Sequence, residues 1–490
     1  MRLTFKKIKN FLVLSLICAI GTSCFSESML YDIDHAQGEI SGEPTQSSII
    51  LQSRLTHGIN LIQGDMPGAR GVACFELSEN PNFHNSIKTK WMQALPEYDY
   101  IIKQRINKLN SGTHYYYRLL YGPDQNKIKK GKTCTFKTLD GPGAETEITF
   151  VVVTGMNYNL FHHGSDSRSA YKGRDKHLGY PALKTILDMQ PDFFIGTGDN
   201  VYYDNPNKTA AKTREELRKK WHEQFVQPRY INFFARIPTY WEKDDHDHRY
   251  NDCDNTGDRL PSSALGIETF IEQVPVVDIT DTEPITYRTY RVNKLLQIWL
   301  VEGRDYRSPN KMPDGPDKTI WGEEQKQWLK KTLLDSDATF KVLISPTPMV
   351  GPDDAYKIDN HTNLKGFKYE GDEFFSWLGQ NGFLKKNFYI LCGDRHWQYH
   401  SVHPSGFEEF SCGALVDANA RLGRQPGDSN STDPQAAVNQ IYTQKEASGG
   451  FLAVTVKPGR ERQQSNILFA FYDEKGTPLY MHKKTAAKQQ

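Results

Sequence analysis

Short polar clusters follow apolar segments at five places in the 490-residue chain, and their residue types suit metal-ion chemistry. The clusters occupy residues 198–204, 244–248, 302–307, 345–347 and 393–397. Asp, Asn, His and Tyr supply oxygen and nitrogen ligands, which suit Mn, Fe, Ca or Mg ions, or zinc without cysteine. Because two cations a few ångströms apart can clamp an in-line displacement at phosphorus, the pattern indicates metal-assisted ester hydrolysis.

Each cluster taken alone has a simpler explanation. Asp-rich loops after strands are often solvated turns, and residues 252–257 form a partial calcium-loop pattern. An isolated His396 is as typical of a buried structural residue as of a ligand. The repetition of such clusters at strand ends favours one shared site, because the carboxyl ends of strands in α/β sheets open onto the ligand crevice.

The elements that must position these clusters form an α/β domain, predicted for residues 145–490. It follows a Gly-Pro-Gly linker at 141–143, and in it apolar strands alternate with helical segments. Helices are predicted over 181–189, 211–225 and 321–334, the second with Glu and Lys four residues apart. Two further strands are predicted near the C-terminus, over 451–456 and 467–472.

The preceding residues 47–140 read as a small β-sandwich. Short alternating segments, including 49–51, 72–75, 114–119 and 133–138, are separated by turn residues. The stretches 109–118 and 135–138 resemble a fibronectin type III-like domain. Cys74 and Cys134 are a possible disulfide pair, although the cysteine spacing is not that of a disulfide framework.

The N-terminus has the order of an export signal. Four basic residues precede the apolar segment 11–20, and small residues then lead to Cys24. This resembles a bacterial lipoprotein signal peptide over 1–23, with membrane attachment through acyl chains on Cys24; a plain signal peptide is the alternative. Residues 24–46 are predicted to be a polar linker, and the protein to be exported to the cell envelope.

The charge balance excludes some classes of partner. The chain has 60 Lys and Arg against 59 Asp and Glu, a formal net charge of +1. Such a balance argues against nucleic-acid binding over the whole surface, and the 12% aromatic content argues against disorder.

Taken together, the motifs resemble those of alkaline phosphatase D-like (PhoD-like) enzymes in the calcineurin-like metallophosphoesterase superfamily. The matching elements are Gly198-Asp199 with Tyr202, Asp244-Asp245-His246-Asp247 with Asn251-Asp252, Gly303-Arg304 with Tyr306-Arg307, and Gly393-Asp394-Arg395-His396. They occur in family order. The resemblance implies a four-layer α/β/β/α sandwich, preceded by the small β-sandwich, with a metal cluster at the strand ends.

The resemblance also implies roles for individual residues. It implies Asp199 as a bridging metal ligand, Tyr202 as a phenolate ligand to iron, Asp245 or Asn251 as a ligand, and Asp394 and His396 as further ligands. His246 would be the general acid, and Arg304, with Arg395 less directly, would bind the anion. Two or more divalent or trivalent ions, Fe, Ca, Mn or Zn, are implied.

The sequence departs from the family pattern in two places. The family's usual cysteine after the first strand is absent, with Gly155 near its position and Asn157 as an alternative ligand. Glu302 stands where the family usually has Asp before the arginine element, and we expect this longer carboxylate to affect substrate choice.

Three hypotheses follow. The first is a monomeric metal-dependent hydrolase of phosphate mono- or diesters, in which metal-bound hydroxide attacks phosphorus and His246 protonates the leaving oxygen. The second is a sulfate-ester hydrolase, and for both the substrate would be a small or polysaccharide anionic ester. The third is a non-catalytic envelope binding module.

Overall fold

The computed structural model describes residues 32–278, 281, 284–460 and 463–487. The predicted signal peptide and Cys24 lie outside these residues. Within them, no helix combines the length and apolar character needed to cross a bilayer.

The described residues form 24 strands and eight α-helices. The strands up to residue 140 are β1 (Ile33–Asp34), β2 (Glu39–Gly42), β3 (Ser48–Arg54), β4 (Thr56–His57), β5 (Gly71–Ser78), β6 (Ile87–Lys88), β7 (Met92–Ala94), β8 (Ile101–Asn107), β9 (His114–Gly122), β10 (Lys129–Lys130) and β11 (Cys134–Lys137). The later strands are β12 (Ile148–Val153), β13 (Phe193–Thr197), β14 (Thr239–Glu242), β15 (Arg288–Arg291), β16 (Leu296–Leu300), β17 (Phe340–Ser345), β18 (Phe388–Cys392), β19 (Gln398–Val402), β20 (Glu408–Cys412), β21 (Asn439–Thr443), β22 (Gly450–Lys457), β23 (Asn466–Asp473) and β24 (Pro478–Thr485). The helices are α1 (Tyr158–His162), α2 (Pro181–Met189), α3 (Arg214–Phe225), α4 (Pro228–Phe234), α5 (Asp245–His248), α6 (Ser263–Gln273), α7 (Gly322–Asp335) and α8 (Lys368–Gln380).

Two large sheets face each other and contain the strands of the C-terminal part of the chain, from residue 145 onward. One has nine strands in the order β24-β23-β22-β12-β13-β14-β2-β3-β8, and the other has seven in the order β15-β16-β17-β18-β20-β19-β21. Apolar side chains from both inner faces, among them Phe150, Ile298 and Phe469, are fully buried between them. This packing of sheet on sheet accounts for the continuously apolar strands in the sequence.

Helices cover the outer face of each sheet. Leu183 of α2 and Trp221 of α3 belong to the same apolar cluster as Phe194 of the nine-stranded sheet. Leu329 of α7 and Phe374 of α8 belong to the apolar cluster that covers the seven-stranded sheet. The four-layer α/β/β/α sandwich predicted from the sequence is therefore confirmed.

The N-terminal sandwich shares a sheet with the C-terminal part of the chain. Strands β2, β3 and β8 form the end of the nine-stranded sheet, and β2 pairs in parallel with β14. A second sheet built around β5 and β9 packs on β3 and β8, with Ile49, Phe75 and Tyr117 in the core between them. The predicted linker over 24–46 is therefore wrong for Glu39–Gly42, which is fully buried as a strand.

The cysteines of the sandwich are not joined. Cys74 and Cys134 are both buried and free. Cys74 pairs with Leu120 of β9, whereas Cys134 pairs with Tyr117 of the same strand, three positions away. Residues three apart on a strand point to opposite faces of the sheet, so the two cysteine side chains point away from each other. The possible Cys74–Cys134 disulfide is therefore not formed.

Candidate active site and metal centre

Two Gly-Asp turns bring carboxylates from different sheets to one place. Asp199 follows β13 and Asp394 follows β18, with φ angles of 54° and 56°. A side chain at Gly198 would put its Cβ 2.4 Å from Cβ of Asp244, and one at Gly393 would put it 2.4 Å from the carbonyl oxygen of Thr197. The close approach of the backbones explains why glycine precedes each aspartate.

Asp199, Tyr202 and His396 form a first group of potential ligand atoms. Asp199 Oδ2 accepts a hydrogen bond of 2.9 Å from Tyr202 Oη and lies 3.0 Å from His396 Nε2. Tyr202 Oη and His396 Nε2 are 3.2 Å apart. Burial and the Asp199 carboxylate raise the pKa of Tyr202 well above its usual value, so the phenol keeps its proton unless a cation replaces it.

Asn419 supports this group from beside Gly155, the residue near the position of the family's usual cysteine. Its Nδ2 donates to Tyr202 Oη at 2.7 Å and to the carbonyl oxygen of Gly155 at 3.2 Å. Gly155 has φ of 68°, and a Cβ there would lie 2.8 Å from Cβ of Ala414. A side chain at position 155 is therefore disfavoured, and the asparagine amide occupies the adjacent space.

Asp245 belongs to two groups of potential ligands. One consists of Asp199, Asp245 and His246, the other of Asp245, Asp252 and Asp359, each with ligand atoms within 4.8 Å of one another. Backbone N–H groups of His246 and Asp252 donate to the two oxygens of Asp245 at 2.8 and 2.6 Å. Burial raises the pKa of Asp245 to about 7. A cation shared between the groups would offset the cost of ionising this carboxyl.

Lys357 lies among the carboxylates of the second group. Its Nζ is 2.8 Å from Asp252 Oδ1, 3.8 Å from Asp394 Oδ1 and 3.9 Å from Asp359 Oδ1. Burial and Arg395 lower the pKa of Lys357, but Asp359 and Asp394 outweigh them and raise it well above its usual value. The ammonium group therefore places one fixed positive charge among three acidic side chains.

His246 has the surroundings of a proton donor. Its Nδ1 lies 2.7 Å from Asp204 Oδ1, and its ring packs 4.3 Å from the Tyr202 ring. Burial lowers the pKa of His246, whereas Asp204, Asp245 and Asp199 raise it, and the net result is well above the usual value. Its side chain retains 14% exposure, so a protonated imidazole has access to a bound molecule.

The two arginines of the motifs are fully buried and paired. Arg304 donates from Nε to Asp244 Oδ1 at 2.7 Å and from Nη1 to the carbonyl oxygen of Cys253 at 2.8 Å. Arg395 pairs with Asp353 and Asp394. Both guanidinium groups hold acidic loops in place. Anion binding by Arg304 stays a prediction.

Three other residues singled out in the sequence lie outside these groups. Asn157 caps α1, with its side chain accepting from the Leu160 N–H. Glu302 pairs with the buried Lys243 at 2.7 Å and accepts from the backbone N–H of Arg304. Asn251 is exposed, and its backbone N–H donates to Asp204. Each of the three supports a loop of the site in this structure.

Sequence reasoning missed several contributors. Asp252 and Asp204 stood inside the motifs, but nothing in the spacing separated them from solvated loop residues. Lys357 and Asp359 lie in the long connection between β17 and α8, and Asn419 lies in the 3-10 turn Asp417–Asn419. An acidic segment between two apolar elements was the one available signal for Asp359.

The chemistry of the donors fits metal cations. Asp199 Oδ1, Asp244 Oδ2 and both oxygens of Asp359 are buried, and none has a hydrogen-bond partner among the described residues. A buried carboxylate oxygen without a partner costs on the order of 1–3 kcal/mol or more. Cations bound by these oxygens, Tyr202 and His396 would remove that cost, and hard oxygen and nitrogen donors suit iron, manganese, calcium or zinc.

Comparisons with known proteins agree with this geometry. Residues 150–464 match the PhoD-like phosphatase family, and residues 30–139 match the N-terminal domain of PhoD-like phosphatases. Alkaline phosphatase D of Bacillus subtilis (strain 168) is 24% identical over 344 residues, which cover 62% of this chain and 54% of that protein. The chain thus spans about half the length of this curated relative.

Two solved structures share the fold. A structure of PhoD superposes with a TM-score of 0.70 at 18% identity and covers 94% of both chains. The purple acid phosphatase PPD1 from yellow lupin (Lupinus luteus) seeds superposes with a TM-score of 0.60 at 14% identity, over 93% of this chain and 74% of that one. With a family model covering more than half of its residues, the chain belongs to the PhoD-like phosphatase family.

Proposed function

We propose that this protein is a metal-dependent hydrolase of phosphate esters that acts on mono- or diesters. The observation that carries the proposal is the carboxylate of Asp245, which belongs to two adjacent groups of ligand atoms at the meeting point of the two sheets. Adjacent cation positions suit an in-line displacement at phosphorus, because both the attacking and the leaving oxygen need stabilisation. Membership of the PhoD-like phosphatase family and the similarity to alkaline phosphatase D of Bacillus subtilis support the same reaction class.

Different residues of the chain have different roles in the proposed reaction. When bound, metal cations supply Lewis acidity toward the phosphoryl oxygens and lower the pKa of water. Asp199, Tyr202 and His396, together with Asp245, would hold one cation position, and Asp245 with Asp252 and Asp359 would hold the other. His246 carries a proton on Nε2 for the leaving oxygen, while Asp204 fixes its ring through Nδ1. Arg304 keeps Asp244 in place beside this pair.

The cellular setting is part of the same proposal. The charged, apolar and small-residue order before Cys24 supports export and lipid attachment. An anchored hydrolase would release phosphate from anionic esters outside the cytoplasm. Globomycin treatment of cells that express the chain, followed by palmitate labelling of wild type and Cys24→Ser, tests the anchor.

Hydrolysis rates and metal content test the activity. Purified protein loaded with Fe, Ca, Mn or Zn would be assayed on p-nitrophenyl phosphate, bis-p-nitrophenyl phosphate and p-nitrophenyl sulfate. We expect turnover of a phosphate ester and loss of at least 10²-fold in Asp199→Asn, with less bound metal. A higher rate on the sulfate ester, or full activity in Asp199→Asn, would contradict the proposal.

A further inference from the structure

A second cluster of metal-ligand side chains lies between the two sheets, away from the strand-end site. It consists of His400 on β19, Glu408 on β20 and His482 on β24, with one ligand atom from each within 4.8 Å of the others. Strands β19 and β20 belong to the seven-stranded sheet, whereas β24 is the edge of the nine-stranded sheet. The cluster therefore connects the two sheets at one side of the sandwich.

The distances within the cluster match a metal tripod. His400 Nε2 lies 3.0 Å and His482 Nε2 lies 3.4 Å from the same oxygen, Glu408 Oε2. Ligands placed about 2.0–2.1 Å from a tetrahedral zinc ion are roughly 3.3 Å apart. Both histidines thus present Nε2 to one carboxylate oxygen at the separation that zinc ligands adopt.

The outer side of each ligand is held by a further polar group. Tyr480 Oη lies 3.0 Å from His400 Nδ1 and 3.3 Å from His482 Nδ1. Lys484 Nζ lies 2.7 Å from Glu408 Oε1, the oxygen that faces away from the histidines. Metal-binding histidines and carboxylates are commonly oriented by hydrogen bonds of this kind on their outer atoms.

The placement of these polar residues on β24 is itself unusual. Tyr480, His482 and Lys484 occupy alternate positions of the strand and are its less exposed residues. Such inward positions face the apolar core formed by Phe410, Phe469 and neighbouring residues, where aliphatic side chains would be expected. His400 is fully buried and stacks on Phe410 at 4.1 Å.

The ionisation of the cluster is suited to cation binding. Burial and the neighbouring His400 lower the pKa of His482, which favours the neutral imidazole. Burial raises the pKa of Glu408, but hydrogen bonds from His400 and Lys484 outweigh it and lower the pKa. His482 Nε2 is shielded from solvent and makes no hydrogen bond with any other described residue.

We propose that His400, Glu408 and His482 form a second metal site that binds Zn²⁺ or a similar divalent transition metal. Two imidazoles and one carboxylate supply three ligands, and water completes the fourth position on the solvent side, where His482 has 26% side-chain exposure. The bound ion would join the edge strand β24 to β19 and β20. This inference does not depend on the proposed hydrolysis.

Zinc binding to the Asp199→Asn protein tests the site, because that background weakens metal binding at the strand ends. Zinc content after dialysis against Zn²⁺ and the zinc-induced change in Tm would be measured in Asp199→Asn and in the same protein carrying His482→Gln. We expect the second protein to bind one equivalent of zinc less and to lose the zinc-induced rise in Tm. His84→Gln, which removes an exposed histidine, is the matched control.

Equal zinc content and equal Tm shifts in these proteins would overturn the proposal and leave a hydrogen-bonded His-Glu-His network. If His482→Gln does not fold, Tyr480→Phe provides a second test of the metal site, because it removes only the hydroxyl that orients both imidazoles. We expect about tenfold weaker zinc affinity in that variant. Unchanged affinity there would likewise contradict the site.

Discussion

The residues of the candidate site combine strained backbone with buried carboxylate oxygens that make no hydrogen bond. Asp199 and Asp394 both adopt left-handed backbone angles. Such conformations cost non-glycine residues on the order of 1 kcal/mol or more. Both oxygens of the buried Asp359 also lack hydrogen-bond partners among the described residues. Cations bound at this place would supply partners for those oxygens.

The proposed role of His246 predicts that the loss of activity on its substitution depends on the leaving group of the substrate. His246→Gln removes the protonated imidazole that Asp204 orients, so the leaving oxygen must depart without a proton. We expect a fall of about 10²–10⁴-fold in kcat for an alkyl phosphate and a much smaller fall for p-nitrophenyl phosphate. Steady-state kinetics on both esters measure this difference. Equal losses on the two substrates would show that His246 acts as a metal ligand or by position alone.

Lys357 predicts a change in cation affinity. Lys357→Met removes the ammonium group that lies 2.8 Å from Asp252 Oδ1, and leaves the carboxylates of Asp359 and Asp394 less compensated. We expect lower Tm in EDTA and a larger rise in Tm with Ca²⁺ or Mn²⁺ than in wild type. Differential scanning fluorimetry at matched ion concentrations measures both. Lys365→Met, which alters an exposed lysine in the same connection, should resemble wild type.

The sequence was enough to predict the first group of potential ligands, Asp199, Tyr202 and His396. It predicted only part of the second group, Asp245, Asp252 and Asp359. Asp199, Tyr202 and His396 stand within a few residues of apolar strands, so the strand ends bring them together. Asp359 and Lys357 lie more than ten residues after β17, where no periodicity indicates a path. The pairing of Arg304 with Asp244 also depends on how two loops from different sheets meet. Spacing along one chain does not encode that contact.

At the scale of elements, a buried ionic network joins the N-terminal sandwich to α3. Asp99, which precedes β8, lies 2.6 Å from His222 Nε2 of α3 and accepts from Arg54 of β3 at 2.8 Å. Gln273 of α6 donates from Nε2 to Asp99 Oδ2, the oxygen that also faces His222, at 2.8 Å. Burial raises the pKa of Asp99, but His222 and Arg54 outweigh it and hold the pKa well below the usual 3.8.

This network predicts the sign of a pH effect. A carboxyl whose pKa is lower in the folded state contributes stability above its unfolded pKa and loses it as the pH falls toward the folded value. We expect Asp99→Asn to reduce the free energy of unfolding by about 3 kcal/mol at pH 7, since it breaks a buried pair. Below pH about 4 the difference in free energy of unfolding between Asp99→Asn and wild type should become smaller, because wild type loses the contribution of the ionised Asp99.

Urea unfolding between pH 7 and 3 measures that difference. Asp335→Asn serves as a control, because it changes a carboxylate whose side chain is 60% exposed and which pairs with Lys331 across one helical turn. A difference between Asp99→Asn and wild type that stays constant with pH would show that the loss is due to packing and not to charge.

Elements with strong local signals were predicted closely. α2 begins at the predicted Pro181, and α3 begins after Thr213, where a capping box with Glu216 fixes its start. The short strand Glu39–Gly42 was read as a linker because Glu, Ser and Gly within four residues carry no period-2 pattern. It is a strand because β3 and β14 supply hydrogen-bonding partners on its two sides.

At the scale of the whole molecule, the N-terminal sandwich and the C-terminal part of the chain share a sheet and an apolar cluster, so we expect them to fold as one unit. Ile40 of β2 packs in the apolar core of the C-terminal part. Lys103 of β8 donates to the carbonyl oxygens of Ile271 and Val274 at 2.6 and 2.8 Å. Contacts of this kind cross the boundary that family comparison places between residues 139 and 150.

Truncation tests this unity. Removal of residues 1–140 takes away β2 and leaves β14 as an unpaired edge of the nine-stranded sheet. Because exposed edge strands pair with other chains, we expect the remaining chain to aggregate, whereas the full chain unfolds in a single calorimetric transition. Size-exclusion chromatography and calorimetry measure these outcomes. A monomeric, active truncated protein would contradict the expectation.

The parallel pairing of β2 with β14 also limits how such a protein can diversify. Domains joined by a flexible connection can be exchanged independently of one another, since each has a complete core of its own. Here an incoming N-terminal module would need its own strand in the place of Glu39–Gly42, with the same direction and register beside Thr239. Recombination at this junction is therefore restricted to partners that already carry that strand.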